Sequence, residues 1–204
     1  IDVVFAVKEG RLTKIGNIII QGNTLTKDKV IRREFLVYPG DIFDGTKVRR
    51  SERIISNLGY FSNVRSYHVN TPVPDQKDLI FEVKEKRTGN LMLGMGFSSI
   101  DRIMGFIEIS QGNFDIFGWP SFAGGGQKLK LYVQFGSRRK NYDFSFVEPC
   151  FLDKKLSLGL DFYKSEVSYD DYDIDRSGGA ISLGMPLPGY GNRIRLQYKL
   201  EKIA

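Results

Sequence analysis

Beyond residue 90 apolar side chains alternate with polar or small ones in segment after segment, and this repetition limits the fold more than any other feature. Leu91, Leu93, Met95 and Phe97 alternate with Met92, Gly94, Gly96 and Ser98. Leu129, Leu131, Val133 and Phe135 then alternate with Lys128, Lys130, Tyr132 and Gln134. The pattern returns in Tyr142 to Phe146, Leu156 to Phe162 and Ile194 to Leu200, and more weakly in Ile103 to Ile109 and Gly179 to Gly184. A period of two sends successive side chains to opposite faces of a pleated strand, so each segment has one greasy face. About seven such strands and no helical period predict an antiparallel all-β segment.

Greasy faces in series have two physical outcomes. Two sheets bury them against each other in a soluble sandwich, or a transmembrane barrel turns them to lipid around a polar lumen. The segments reach the roughly 9 to 11 residues that a tilted membrane strand needs, whereas sandwich strands are more often about 5 or 6. Connections also differ: Asp153-Lys154 and Leu187 to Gly191 read as short turns, Ser165 to Asp175 as a long acidic loop. Short periplasmic turns against long extracellular loops would give this asymmetry. Phe114, Phe117, Trp119 and Phe122 cluster at one turn, where an aromatic girdle would meet a membrane interface. The pattern favours the barrel and leaves the sandwich open.

Composition removes other classes. In 204 residues no apolar run reaches the roughly 18 residues of a membrane-spanning helix. Cys150 is the only cysteine and His68 the only histidine, which excludes a disulfide framework and a Cys/His zinc site. The chain begins at Ile1 and reads as a piece of something longer.

The character changes at Thr88-Gly89-Asn90. Up to Thr88 there are 16 Lys and Arg against 11 Asp and Glu, and 8 aromatic residues; after it, 14 against 13, and 18 aromatics. The first part reads as α+β. Val3, Phe5 and Val7 look like the last strand of a preceding module, so residues 1–10 are assigned to its end. Lys14 to Gln21 is a strand closed by Gly22-Asn23. Thr26 is placed to cap a short helix to Phe35, with Ile31 and Phe35 on one face. Asp44 opens the next helix, Phe43 and Val48 have hydrophobic-staple spacing, Val48, Ile55 and Leu58 form its stripe, and Gly59 ends it. Val64 to Val69 and Lys77 to Lys86 follow as strands. The order is β-α-α-β-β over 11–88, with the all-β segment over 89–204.

Several motifs carry the resemblance. They are Ile18-Ile19-Ile20-Gln21-Gly22-Asn23, Val30-Ile31-Arg32-Arg33-Glu34, Gly40-Asp41, Asn57-Leu58-Gly59-Tyr60-Phe61 and Val83-Lys84-Glu85-Lys86 with Thr88-Gly89, then Gly94-Met95-Gly96-Phe97-Ser98-Ser99, Gly112-Asn113-Phe114 and Glu148-Pro149-Cys150-Phe151. In this order the chain resembles the BamA family of outer-membrane β-barrel assembly factors, which join periplasmic POTRA modules to a lipid-embedded barrel. The resemblance implies that 11–88 is the membrane-proximal POTRA and 89–204 the first strands of a barrel of about sixteen, more than the seven counted here. Residues 117–126 are an insertion relative to a short periplasmic turn.

What the resemblance implies about function is insertion of other barrel proteins into the outer membrane, with no cofactor and no catalysis. Unfolded outer-membrane proteins, accessory assembly lipoproteins, periplasmic chaperones and outer-membrane lipid are the implied partners; nucleic acid is not among them. The family's first barrel strand is one side of a weakly closed seam, which places Leu91, Met92, Leu93, Gly94, Met95, Gly96 and Phe97 there as the edge that pairs with client strands by β-augmentation. A second candidate edge is the strand bearing Arg65, Tyr67 and Val69. Arg32, Arg33, Arg49, Arg50 and Arg53 are assigned to solvated helix surface or to attraction for anionic headgroups. The acidic residues Glu166 to Asp175 match no calcium loop, Gly124 to Lys128 lacks the spacing of a phosphate loop, and His68 has no acid or nucleophile placed beside it.

Two alternatives stand beside this reading. One keeps the architecture as a two-partner secretion or translocation pore; the other makes the β segment a soluble periplasmic chaperone-like sandwich. An enzyme is the weakest option, because no nucleophile, base and orienting acid can be assembled from these residues.

Overall fold

The computed structural model describes residues 11–98, 102–187 and 192–204. The strand expected at Val3 to Val7, the assignment of 1–10, Ser99 and the turn residues Pro188 to Gly191 lie outside them. Two compact units divide between Lys86 and Arg87.

In the first unit β1 (Lys14–Gln21), α1 (Asp28–Arg32), α2 (Gly45–Asn57), β2 (Phe61–Asn70) and β3 (Gln76–Glu85) follow in the expected β-α-α-β-β order. The sheet order is β1-β3-β2, with β3 parallel to β1 and antiparallel to β2. Ile15, Leu79 and Phe81 of the sheet are buried with Val30, Ile31 and Ile55 of the helices, and the Phe35 ring stacks on Phe81 at 4.5 Å.

The α2 helix follows its signals. Asp44 Oδ1 accepts the N–H groups of Thr46 and Lys47 at 2.8 and 3.2 Å, and these two bonds hold its carboxyl below the usual range. Phe43 and Leu58 pack against the core that Val48 and Ile55 enter, and Gly59 turns the chain out with φ +78°. Ser51, which no apolar pattern reveals, is fully buried; its Oγ donates to Lys47 O and accepts the Leu36 N–H, both at 2.9 Å.

The α1 helix corrects the expectation. It covers only Asp28–Arg32 and has no side-chain cap. Thr26 faces Glu85 at the end of β3 instead. Glu85 Oε1 accepts the Thr26 N–H at 2.6 Å, and Oε2 accepts the N–H groups of Leu25 and Thr24 at 2.9 and 3.0 Å and the Thr24 hydroxyl at 2.7 Å. A helix this short is not stable by propensity; burial of Val30 and Ile31 holds it. Gly22 is required where it stands, because φ is +89° and a Cβ would overlap the Val83 carbonyl oxygen.

The second unit is one antiparallel meander. Its strands are β4 (Gly89–Ser98), β5 (Arg102–Phe114), β6 (Gln127–Gly136), β7 (Arg139–Glu148), β8 (Ser157–Ser168), β9 (Asp173–Pro186) and β10 (Arg193–Ile203). Each pairs with its sequence neighbours, giving the order β10-β9-β8-β7-β6-β5-β4 in a single open sheet. The described strands do not form two packed sheets, so the sandwich alternative is overturned.

Two expectations about the connections are also corrected. Ser165 to Asp175 is mostly strand: β8 and β9 continue to Ser168↔Asp173, leaving only 169–172 as the turn. Cross-strand pairing accommodates the acids, with Glu166 opposite Asp175 and within ion-pair distance of Lys140 and Lys164. The length asymmetry is reversed. Residues 115–126 and 149–156 connect strands at the end where β4 begins, while 137–138 and 169–172 turn at the other end. The longer connections therefore lie at the chain-entry end.

Candidate functional site

Register in a flat ladder decides which side chains share a face. One transverse row runs Leu91, Ile109, Leu131, Phe144, Phe162, Gly179 and Leu200 across all seven strands. The row beside it runs Leu129, Phe146, Leu160, Ile181 and Tyr198. The opposite face carries Met92, Glu108, Tyr132, Asp143, Tyr163, Gly178 and Glu201 in one row. There Lys130 Nζ lies 3.0 Å from Glu108, and Ser145 Oγ donates to Asp161 at 2.6 Å. An apolar face and an ion-paired polar face on one sheet is the arrangement of a barrel wall between lipid and a wet lumen.

The sequence-predicted site residues Leu91 to Phe97 all lie on β4, the terminal strand of this sheet. One side of β4 pairs with β5 from Gly89↔Gln111 to Ser98↔Arg102; on its other side no described strand pairs with it. Its apolar residues are bare: Met95 is 91% and Phe97 79% exposed. The two glycines differ. A Cβ on Gly94 would run into the Phe106 ring, which lies across it on the polar face, whereas a Cβ on Gly96 would meet only the flexible Met104 at 3.5 Å. Gly105, opposite Met95, is similarly covered by Phe135, whose ring edge a Cβ would approach to 3.0 Å. Aromatic rings over cross-strand glycines let a sheet bend while keeping contact area. Leu93, Met95, Ile103, Ile107 and Phe135 line a shallow apolar hollow of about 610 Å³ beside this edge. No convergent charged groups line it, so it suits a greasy strand better than a polar small molecule.

The second predicted set also lies on an edge strand. Arg65, Tyr67 and Val69 are exposed on β2, opposite Glu82, Ile80 and Asp78 of β3, on the face away from the α2 packing. Ile19 of β1 lies opposite the same Ile80, so Tyr67, Ile80 and Ile19 form a short apolar stripe across the sheet. The other face of β2 is occupied: Ser66 Oγ donates to Glu52 of α2 at 2.7 Å and His68 packs edge-on to Phe43 at 5.6 Å. The outer side of β1 is already taken at its start, where the Ile15 N–H donates to Asp41 O and Ile15 O accepts the Gly40 N–H, both at 2.8 Å, contacts that no local pattern reports.

Glu85 is the group whose titration is most altered. Partial burial pushes its pKa up, but hydrogen bonds from Thr24 and Thr26 and from the backbone of Thr26 and Leu25 outweigh this and hold it at about 2. Among the described residues no group of three or more His, Cys, Asp or Glu is placed to hold a metal ion.

Comparison with known proteins places both units. Residues 13–86 match the POTRA model, described as surface antigen variable number repeat, and residues 121–203 match the Omp85 superfamily domain. A relative from Nitratidesulfovibrio vulgaris, an outer membrane protein assembly factor BamA, is 31% identical over 99% of this chain; one from Neorickettsia risticii is 34% identical over 98%. This chain spans about a quarter of their lengths, 24% and 26%. The crystal structure of BamA from Haemophilus ducreyi lacking POTRA domains 1–3 superposes with a TM-score of 0.75 at 24% identity, covering 96% of this chain and 37% of that one. CdiB from Acinetobacter baumannii gives 0.55 at 14% identity, covering 94% of this chain and 39% of that one, a likeness of fold. The chain thus carries a POTRA domain followed by strands of an Omp85 superfamily domain, the arrangement of the outer-membrane relatives it resembles along nearly its whole length.

Proposed function

We propose that the chain belongs to a factor that assembles β-barrel proteins into the outer membrane, and that β4 presents its backbone edge to the incoming client strand. In this reading residues 1–10 end a preceding POTRA module, 11–88 are the membrane-proximal POTRA on the periplasmic side, and 89–204 open the barrel. The observation that carries the reading is that β4 is the first strand of the sheet, paired with β5 along one side, with its apolar side chains bare and Gly94 and Gly96 in its middle. Unpaired N–H and C=O groups in hydrocarbon cost several kcal/mol each, so a client strand that satisfies them is drawn to that edge without nucleotide hydrolysis. The partners this implies are unfolded outer-membrane proteins, accessory lipoproteins, periplasmic chaperones and the membrane itself. The β2 edge, with Arg65, Tyr67 and Val69, is a second place for an extended segment to add.

Single cysteines placed from Leu91 to Phe97 in the full-length protein are expected to crosslink to the terminal strand of a stalled client. Absence of crosslinks at every position removes β4 from the mechanism. A two-partner secretion or translocation pore of the same architecture is the second reading. Secretion predicts that the client is recovered outside the cell; insertion predicts that it is recovered as a folded barrel in the membrane.

A further inference from the structure

The connection 115–126, which contains the 117–126 insertion, is a built object. The Asn113 side chain accepts the Gly126 N–H at 2.8 Å, and its carbonyl accepts the Gly124 N–H at 2.8 Å. Asp115 donates its N–H to Phe122 O and accepts the Gly118 N–H on its carbonyl, both at 3.0 Å; Asn113 and Asp115 are buried. A Cβ on Gly125 would come within 2.8 Å of the Phe114 carbonyl oxygen, so the loop closes tightly at that point. Its base is tied to the next connection at the same end of the sheet. The Ile116 N–H donates to Gln127 Oε1 at 2.9 Å, Gln127 Nε2 donates to Glu148 Oε2 at 2.9 Å, and Glu148 Oε1 accepts the Cys150 N–H at 3.0 Å.

This braced loop leaves its largest side chains bare, with Phe117 88% and Trp119 80% exposed. A bulge between Gln111 and Phe114 places Phe114 opposite Gln127, on the face of Leu129. From there the rings run on: Phe146 meets Phe114 at 6.4 Å, Phe114 stacks with Phe122 at 6.1 Å, and Trp119 packs edge-on to Phe122 at 5.5 Å. The apolar face of the sheet therefore continues past the strand ends as an aromatic stack. In the neighbouring connection Leu152 is exposed, and the exposed Lys154 and Lys155 outnumber Asp153.

We propose that 115–126 is a rigid lipid foot. Phe117, Trp119 and Phe122 lie in the headgroup and ester layer of the leaflet at the end where β4 begins, and Lys154 and Lys155 face anionic headgroups beside them. Continuity with the lipid-facing side of the barrel wall identifies a phospholipid surface as the occupant, because amphipathic rings prefer that layer and lysines reach to it. A bare turn of two residues would complete the strand connection equally well; the bracing serves to hold rings against a boundary. The foot lies one strand from the β4 edge and would fix the depth of that edge.

The test uses the full-length protein reconstituted in phosphatidylethanolamine–phosphatidylglycerol vesicles, with an environment-sensitive fluorophore on a cysteine replacing Phe117, a position already bare. Lipids carrying a quencher near the ester group are expected to dim it about threefold more than aqueous iodide does, and more than lipids quenched deep in the chain. A second probe at Leu131→Cys is expected to respond to the deep quencher. Strong iodide quenching at 117 overturns the foot, and so does protection from both quenchers, which would mean that protein covers it. A probe at 131 that lipid does not quench overturns the membrane-facing assignment of the sheet, and the foot with it.

Discussion

Glu85 shows how one residue closes a fold. It ends β3, yet its carboxylate organises the segment before α1, taking three backbone N–H groups and two threonine hydroxyls. Its folded pKa, about 2, lies below the ordinary carboxyl value of 4.5. Stability from this group is therefore full above about pH 4.5 and is lost as pH falls toward 2. Glu85→Gln is expected to destabilise the POTRA unit by about 1 to 2 kcal/mol at neutral pH, allowing for partial solvent screening. Hydrogen exchange at Leu25 and Thr26 checks it: both amides should exchange faster in the variant, and the difference should vanish in acid. Gly94 is the corresponding residue in the sheet. Gly94→Val forces the Phe106 ring away and is expected to lower folding stability by about 1 to 3 kcal/mol through overpacking. Adding Phe106→Ala should recover most of the loss in a vesicle folding assay; no recovery would mean that the ring is not what fills the glycine's place.

At the scale of elements, the exposed stripe on β2 makes its own prediction. Tyr67→Ser with Val69→Ser leaves the buried face of β2 untouched and is expected to weaken binding of unfolded barrel peptides about fivefold to tenfold by titration. Unchanged affinity assigns those residues to plain solvated surface. Elements whose order is set by local chemistry were legible in the sequence: the Asp44 cap, the Phe43–Val48 staple, Gly59 and the seven alternating strands all act within a few residues. Elements set at long range were not. Thr26 carries a capping signature, but Glu85, about sixty residues away, takes the interaction. Ser165 to Asp175 resembles a loop by charge, and only the partner strand reveals the pairing that keeps it extended. The bracing of 115–126 depends on Gln127 reaching Glu148 on another strand, which a linear pattern of glycines and aromatics does not report.

At the scale of the whole molecule, the two faces of the sheet must meet different solvents. Leu131→Arg, in the row that crosses all seven strands, is expected to cost about 2 to 4 kcal/mol of folding in vesicles, as a charge on the lipid face does, while Tyr132→Arg on the lumen face costs far less. Heat-modifiable mobility of the folded barrel measures both, and equal costs would remove the lipid and lumen assignment. The central claim is that the open backbone edge of β4 pairs with clients, and a proline scan from Leu91 to Phe97 addresses it directly. Proline removes one N–H, and successive residues of a strand direct theirs to opposite sides. The account predicts a period of two: prolines whose lost N–H faced β5 impair the barrel itself, and alternate ones leave a folded barrel that no longer inserts clients. Folded variants from the second set that insert clients at the wild-type rate would contradict it.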